Sequence, residues 1–229
     1  MSVLLFGDGF DGVRAVLAFV SLLNALGYYG LMERPASALR TAVKTAAIAA
    51  LVPLPLLGLG GTAMPRLALG LLAGALVLSS IGDYFLALQD GQRNFVRGLG
   101  AFLGAHLCYL LVLLPRTTAP GSLQIATMLG LLSLAGAILA WLWPLLGRLR
   151  MPVTIYLTMI CLMALAAISM PLPLPLPLLA IGAVLFVFSD AVIAVDKFRM
   201  AIRWRGPIIW TTYYAGQVLL VSNLLLLLR

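Results

Sequence analysis

Apolar runs of about 20 residues follow one another along almost the whole chain, separated by short segments that carry most of the charges. A hydrocarbon layer roughly 30 Å thick needs about 20 helical residues to cross it, and lipid offers the backbone no hydrogen-bond partner. Such runs are therefore confined to helices that satisfy their own N–H and C=O groups. They predict spans near residues 12–32, 41–59, 66–88, 96–115, 121–143, 152–170, 176–195 and 207–228. The expected fold is all-α, a polytopic membrane helix bundle of about eight transmembrane helices, with residues 1–229 forming a single transmembrane domain. A soluble fold is excluded by composition, because 63% hydrophobic and 10% charged residues leave too little polar surface to face water.

Two proline clusters interrupt this pattern. Pro53 and Pro55 are expected to kink the second span, since each removes a backbone donor. Residues 171–177 alternate Pro and Leu and predict an extended connector. The first eleven residues carry Asp8 and Asp11 but no Lys or Arg, so they lack the basic start of a cleavable signal peptide, and the first helix is expected to be retained. Cys108 and Cys161 fall inside spans, where a thiol behaves as a small apolar group. Gly70 and Gly74, a small-xxx-small pair, read as helix-packing positions.

The loops after odd-numbered spans hold Arg34, Arg40, Lys44, Arg93, Arg97, Arg148, Arg150, Lys197, Arg199, Arg203 and Arg205, against Arg14, Arg66, Arg116 and Arg229 on the other side. The positive-inside rule then sets the odd loops in the cytoplasm and both termini outside. A multi-pass protein of the cell membrane, the bacterial inner membrane in particular, is the expected localisation. The net charge of +8 is scattered among short loops, so topology accounts for it and no nucleic-acid partner is expected. The sequence carries no signal for oligomeric state.

An ionisable side chain inside a span is costly unless it faces a polar interior, so each one marks a candidate site. Asp83 and Asp190 both lie between apolar residues. Asp83 precedes Asp90 by seven residues and Asp190 precedes Lys197 by seven, which sets both acids about 10 Å from a boundary marker. Lys44, Tyr156, Tyr213, Tyr214 and Gln217 fall toward the same face, with His106, Asn24 and Tyr28 deeper. Together they predict a polar cavity in the cytoplasmic half. Simpler roles stand beside this one: interfacial anchoring for Tyr84, Tyr156 and Tyr214, snorkelling for Lys44, an interhelical hydrogen bond for His106, and structural pairing of either Asp with Lys44 or His106. His106 is the single histidine, so no conventional metal site and no cofactor are expected.

Several of these residues carry a family likeness. Lys44-Thr45, Gly82-Asp83, residues 98–102 with His106 and Tyr109, Tyr156 with Met163, residues 182–186 with Ser189-Asp190, and Tyr213 or Tyr214 with Gln217 occur in an order and spacing that resembles the lysoplasmalogenase (YhhN-like) membrane proteins. The likeness runs from about the first span to the last. One departure is Thr45, where the family commonly has proline.

The resemblance implies an all-helical bundle of about eight spans that hydrolyses the vinyl ether bond of a lysophospholipid, with membrane lipids as its surroundings. Vinyl ether hydrolysis needs an acid, a base and a negative field, the logic of two-carboxylate glycoside hydrolysis. It implies Asp83 and Asp190 as catalytic acid and base, with Lys44, His106, Tyr156, Tyr213 and Gln217 as substrate-binding residues. Two alternatives remain open: a hydrolase of another lysophospholipid or ether lipid, and a small proton-coupled transporter. The topology is tested directly by a reporter fused after Arg229. It is expected to behave as extracytoplasmic, and a cytoplasmic signal would mean a wrong span count or orientation.

Overall fold

In a computed structural model of the chain, the described residues are Gly7 and residues 9–60, 65–88, 91–171 and 177–229. Asp8, Asp90 and residues 172–176 of the expected connector lie outside them. The fold is all-α: α1 Asp11–Tyr29, α2 Ala38–Ala49, a short α3 Pro53–Leu56, α4 Arg66–Leu88, α5 Gly91–Leu113, α6 Ser122–Leu142, α7 Arg150–Ile168, α8 Pro177–Phe198 and α9 Arg205–Leu228. Among the described residues, eight helical segments are long and apolar enough to cross a membrane, running Asp11–Tyr29, Ala38–Leu59, Arg66–Leu88, Gly91–Arg116, Ser122–Leu145, Gly147–Ile168, Leu178–Phe198 and Arg205–Leu228. Leucines such as Leu67, Leu123 and Leu129 stand exposed on them, the arrangement suited to a lipid solvent.

The second span breaks where its prolines require. Pro53 and Pro55 have no N–H to donate four residues back, and the ladder tightens to three-residue steps: Leu51 N–H to Ile48 O, Val52 to Ala49 and Leu54 to Leu51, at 2.9–3.1 Å. At the other end, Ser37 caps α2 by accepting the Arg40 backbone N–H at 3.2 Å.

The described helices form two compact units, residues 1–112 with 221–229, and residues 113–220. In the first, α2 packs on α1 and on α4. The Ser21 hydroxyl on α1 donates to the Ala47 carbonyl at 2.6 Å. The buried stripe of α4 runs Leu69, Leu72, Leu76, Ser80, Asp83 and Ala87, at the three-and-four spacing of one helix face. On α5 the matching stripe is Phe102, Ala105, His106, Tyr109 and Val112. The Phe102 ring lies against Gly82, where a Cβ would meet it at 2.6 Å, and Gly98 faces Leu86 as closely as 2.9 Å. Gly82 thus admits Phe102 at the residue beside Asp83.

In the second unit α7 packs against α6 and α8. Gln124 on α6 ties down the end of α7, its amide donating to the Ile168 and Met170 carbonyls at 2.5 and 2.9 Å while its Oε1 accepts the Gly121 N–H at 2.8 Å. The turn before α9 is held by Asp196, which accepts the Ile202 N–H at 3.0 Å and pairs with Arg205 at 2.6 Å. Helices α8 and α9 touch backbone to backbone. A Cβ on Gly216 would stand 2.9 Å from the Gly182 carbonyl oxygen, and one on Gly182 3.1 Å from that of Gly216.

The tightest glycine contacts among the described residues thus fall at Gly82, Gly98, Gly182 and Gly216, with Gly104 next against Leu78 at 3.1 Å, while of the pair read from spacing Gly74 makes an ordinary contact and Gly70 none. A Cβ on Gly70 would meet nothing within 4 Å, and one on Gly74 only Cys108 Sγ at 3.8 Å. Spacing marks a candidate face without saying whether a neighbour lies against it. Gly216→Val is expected to lower unfolding stability in detergent by about 1–3 kcal/mol, the usual cost of overpacking. Gly70→Ala should leave it unchanged or slightly raised, as read by thermal melts.

Candidate active site

Each candidate acid sits where the helical period turns it toward protein. Asp83 continues the buried stripe of α4, and Lys44 reaches it from the second turn of α2, Nζ to Oδ1 at 3.0 Å. The lysine side chain is 13% exposed and the aspartate 2%, so Lys44 does not snorkel toward the interface. Its charge is committed to Asp83. The structural pairing of an intramembrane Asp with Lys44, one of the simpler roles open to these residues, is thus present for Asp83. His106 is also in this unit, wholly buried on α5 one turn beyond Phe102.

In the second unit Tyr156 of α7 donates its phenol to Asp190 Oδ2 on α8. A buried, hydrogen-bonded tyrosine is not an interfacial anchor, so that role is removed for Tyr156. Ser189 lies wholly buried beside Asp190 and donates to the Phe186 carbonyl at 2.8 Å. On α9, the Gln217 amide donates to the Tyr213 hydroxyl at 3.3 Å, one turn away. Tyr213 meets the Phe186 ring edge-on at 5.2 Å, which links this pair to the α8 segment that carries Asp190. Trp210 packs against both Tyr213 and Tyr214 at 5.9 Å.

The first unit thus holds Lys44, Asp83 and His106, and the second holds Tyr156, Asp190, Tyr213 and Gln217. Among the described residues, no three His, Cys, Asp or Glu side chains gather as metal ligands would.

Two open cavities of about 730 and 370 Å³ run along the first unit. Thr45, Ala49 and Tyr84 line both; Ser37 and Thr41 line the larger, and Ser80 and Phe85 the smaller. Neither Lys44, Asp83 nor His106 lines them. Sequence reasoning passed over this surface because its wall is built of alanine, other small residues and apolar side chains, which carry little chemical signal. Tyr84 is 45% exposed on it.

Arg40 also sits differently from its sequence reading. The sequence counts it among loop charges, yet its side chain is buried in the first turn of α2. The available signal was its position four residues before Lys44, on the same helix face.

Eight apolar spans, with two intramembrane carboxylates each held by a named polar side chain, define a multi-pass helical membrane protein with candidate acid chemistry inside the bilayer. Within that class, the chain belongs to the YhhN family, whose model matches residues 39–224, a range that includes all seven candidate residues and leaves α1 before it. It is 37% identical over 156 residues to the lysoplasmalogenase of Mycobacterium tuberculosis, an alignment covering 66% of this chain and 59% of that protein. It is 33% identical over 157 residues to the lysoplasmalogenase TMEM86A of Bos taurus, covering 65% and 62%. It is 32% identical over 149 residues to the lysoplasmalogenase TMEM86B of Sus scrofa, covering 65% and 61%. The chain thus spans about six-tenths of the length of these curated relatives. No solved structure matches it.

Removing one partner of a buried ion pair leaves the other without compensation. Lys44→Met is therefore expected to destabilise the protein by about 3–5 kcal/mol. Adding Asp83→Asn to that variant should recover part of the loss, giving a coupling of roughly 0.5–3 kcal/mol in a double-mutant cycle read by thermal unfolding.

Proposed function

We propose that this chain is a lysoplasmalogenase: a membrane hydrolase that cleaves the vinyl ether bond of lysoplasmenylethanolamine or lysoplasmenylcholine to a fatty aldehyde and a glycerophospho-alcohol. The observation that carries the reading is the pair of intramembrane carboxylates, each held by a polar side chain, in a family whose curated relatives are named lysoplasmalogenase.

The reaction begins when an acid protonates the β-carbon of the vinyl ether. The C=C electron pair forms the new C–H bond, and the α-carbon becomes an oxocarbenium ion. Water adds to that carbon and loses a proton to a base. The resulting hemiacetal then collapses, its C–O bond to glycerol breaking as the hydroxyl proton passes to the departing oxygen. One of Asp83 and Asp190 is the proton donor in this scheme, and the other stabilises the cation and activates water. Tyr156, bonded to Asp190, orients that carboxylate, and Lys44 does the same for Asp83. His106, Tyr213 and Gln217 serve the bound lipid or the attacking water. In the same reading residues 1–229 act as one transmembrane domain in the cell membrane, with both termini outside and the chemistry in the cytoplasmic half.

The test is mass-spectrometric product analysis on the purified chain, with alkenyl and acyl lysophospholipids side by side. Aldehyde is expected from the alkenyl lipid, and no hydrolysis of the acyl lipid. Asp83→Asn and Asp190→Asn should each lower kcat by roughly 100-fold or more, the scale of general acid–base catalysis. A variant that keeps most of its activity, while still folded, removes its residue from the mechanism.

A further inference from the structure

Arg40 is 3% exposed, and its Nε and Nη1 atoms are wholly buried without a hydrogen-bond acceptor among the described residues. A guanidinium keeps its charge in any protein setting, so it cannot escape the cost of burial by losing a proton. An arginine near a helix end in a membrane ordinarily extends its flexible stem to the interface. This one does not, and its face of α2 explains why. Positions 40, 44, 47, 48 and 51 form one face, and Arg40, Ala47, Ile48 and Leu51 are all buried on it. The neighbouring cation on that face, Lys44, already has its counterion in Asp83. The remaining charge is Arg40, in the first turn of a helix whose positive end favours anions.

Among the described residues the demand for an anion is unmet: Nε and Nη1 lie on different edges of the guanidinium, and each edge, shared with Nη2, presents two parallel N–H donors of the kind that phosphate oxygens match. We propose that Arg40 binds the phosphate of a single-chain phospholipid and thereby sets the depth of the bond to be cleaved. The choice of a lysophospholipid rests on the lysoplasmalogenase reading; the need for an anion does not. Lys44 lies four residues further along α2, about 6 Å of helix rise. That rise is comparable with the glycerol backbone separating the phosphate from the sn-1 oxygen. A phosphate held at Arg40 thus brings the sn-1 bond to the level of the Lys44–Asp83 pair. Lys44, the side chain sequence reasoning would give to the phosphate, is left to position Asp83.

The full chain is purified in a sugar-headgroup detergent, which carries no phosphate, and titrated with three probes. These are a saturated 1-O-alkyl lysophosphoethanolamine that cannot be hydrolysed as a vinyl ether, a 1-O-alkylglycerol without phosphate, and inorganic phosphate. Binding and ligand-free thermal stability are measured for the wild type, Arg40→Met, and Arg34→Gln as an exposed control. Arg40→Met is expected to weaken the alkyl lysophospholipid roughly tenfold or more, to leave alkylglycerol unchanged, and to keep or raise ligand-free stability, since it removes a buried unpaired charge. Arg34→Gln should match the wild type throughout.

Equal loss for both lipids, or a drop in ligand-free stability, would make Arg40 structural and overturn the proposal; so would wild-type affinity for the lysophospholipid in Arg40→Met. Tight, Arg40-dependent binding of inorganic phosphate alone would identify a free anion as the ligand and overturn the lipid assignment. Arg40-dependent lysolipid binding without aldehyde release from the alkenyl lipid would sink the hydrolase reading and leave this site standing.

Discussion

A charged side chain in a bilayer has no water to turn to, and the cost of leaving it uncompensated exceeds what most single contacts contribute to stability. Much of the polar architecture follows from that constraint. Asp83 continues the buried stripe of α4 and meets Lys44, and Asp190 accepts the Tyr156 phenol. Asp196 satisfies both a backbone N–H and Arg205 at the turn into α9. Each pairing fixes two helices, or a helix and its approach, at one rotation, because the polar side chain reaches its partner from only one face. Polar groups that are few and costly therefore specify helix orientation where apolar surface alone would tolerate rotation.

The same constraint decides which glycines matter. Apolar packing between lipid-solvated helices depends on close approach. Gly82 admits the Phe102 ring at the residue before Asp83, and the Gly182–Gly216 contact brings two backbones together on the helices that carry Asp190 and Tyr213. Close packing and the candidate polar residues thus share the same short stretches of α4, α8 and α9.

The spans were legible because hydrocarbon thickness imposes one length and lipid imposes one secondary structure. The break at Pro53 and Pro55 was legible because a missing N–H has a local consequence. Asp83, Asp190 and Lys44 stood out because charge inside an apolar run is rare. What stayed hidden depended on neighbours. Nothing in the sequence around Gly70 says that a Cβ there would meet nothing within 4 Å, and the one hint that Arg40 turns inward is its place on the Lys44 face of α2. Ser37, Thr41, Thr45 and Tyr84 line the first unit's cavities, but their small alanine neighbours gave no reason to expect a cavity there. Partner choice was legible only in part: pairing of an Asp with Lys44 or His106 was among the expectations, but that Lys44 meets Asp83 while Tyr156 meets Asp190 is set by which helix faces which.

The crossing of α8 and α9 acts as a fulcrum. Gly182 lies eight residues before Asp190, about 12 Å along α8, and Gly216 stands between Tyr213 and Gln217 on α9. With two backbones in contact at that point, neither helix can slide or tilt there without moving both polar ends. The α8 segment between is about two turns of helix, so the place where the glycines meet helps set where the Asp190 carboxylate points. Two residues with no side chains thereby bear on the aim of a carboxylate proposed to take part in the reaction.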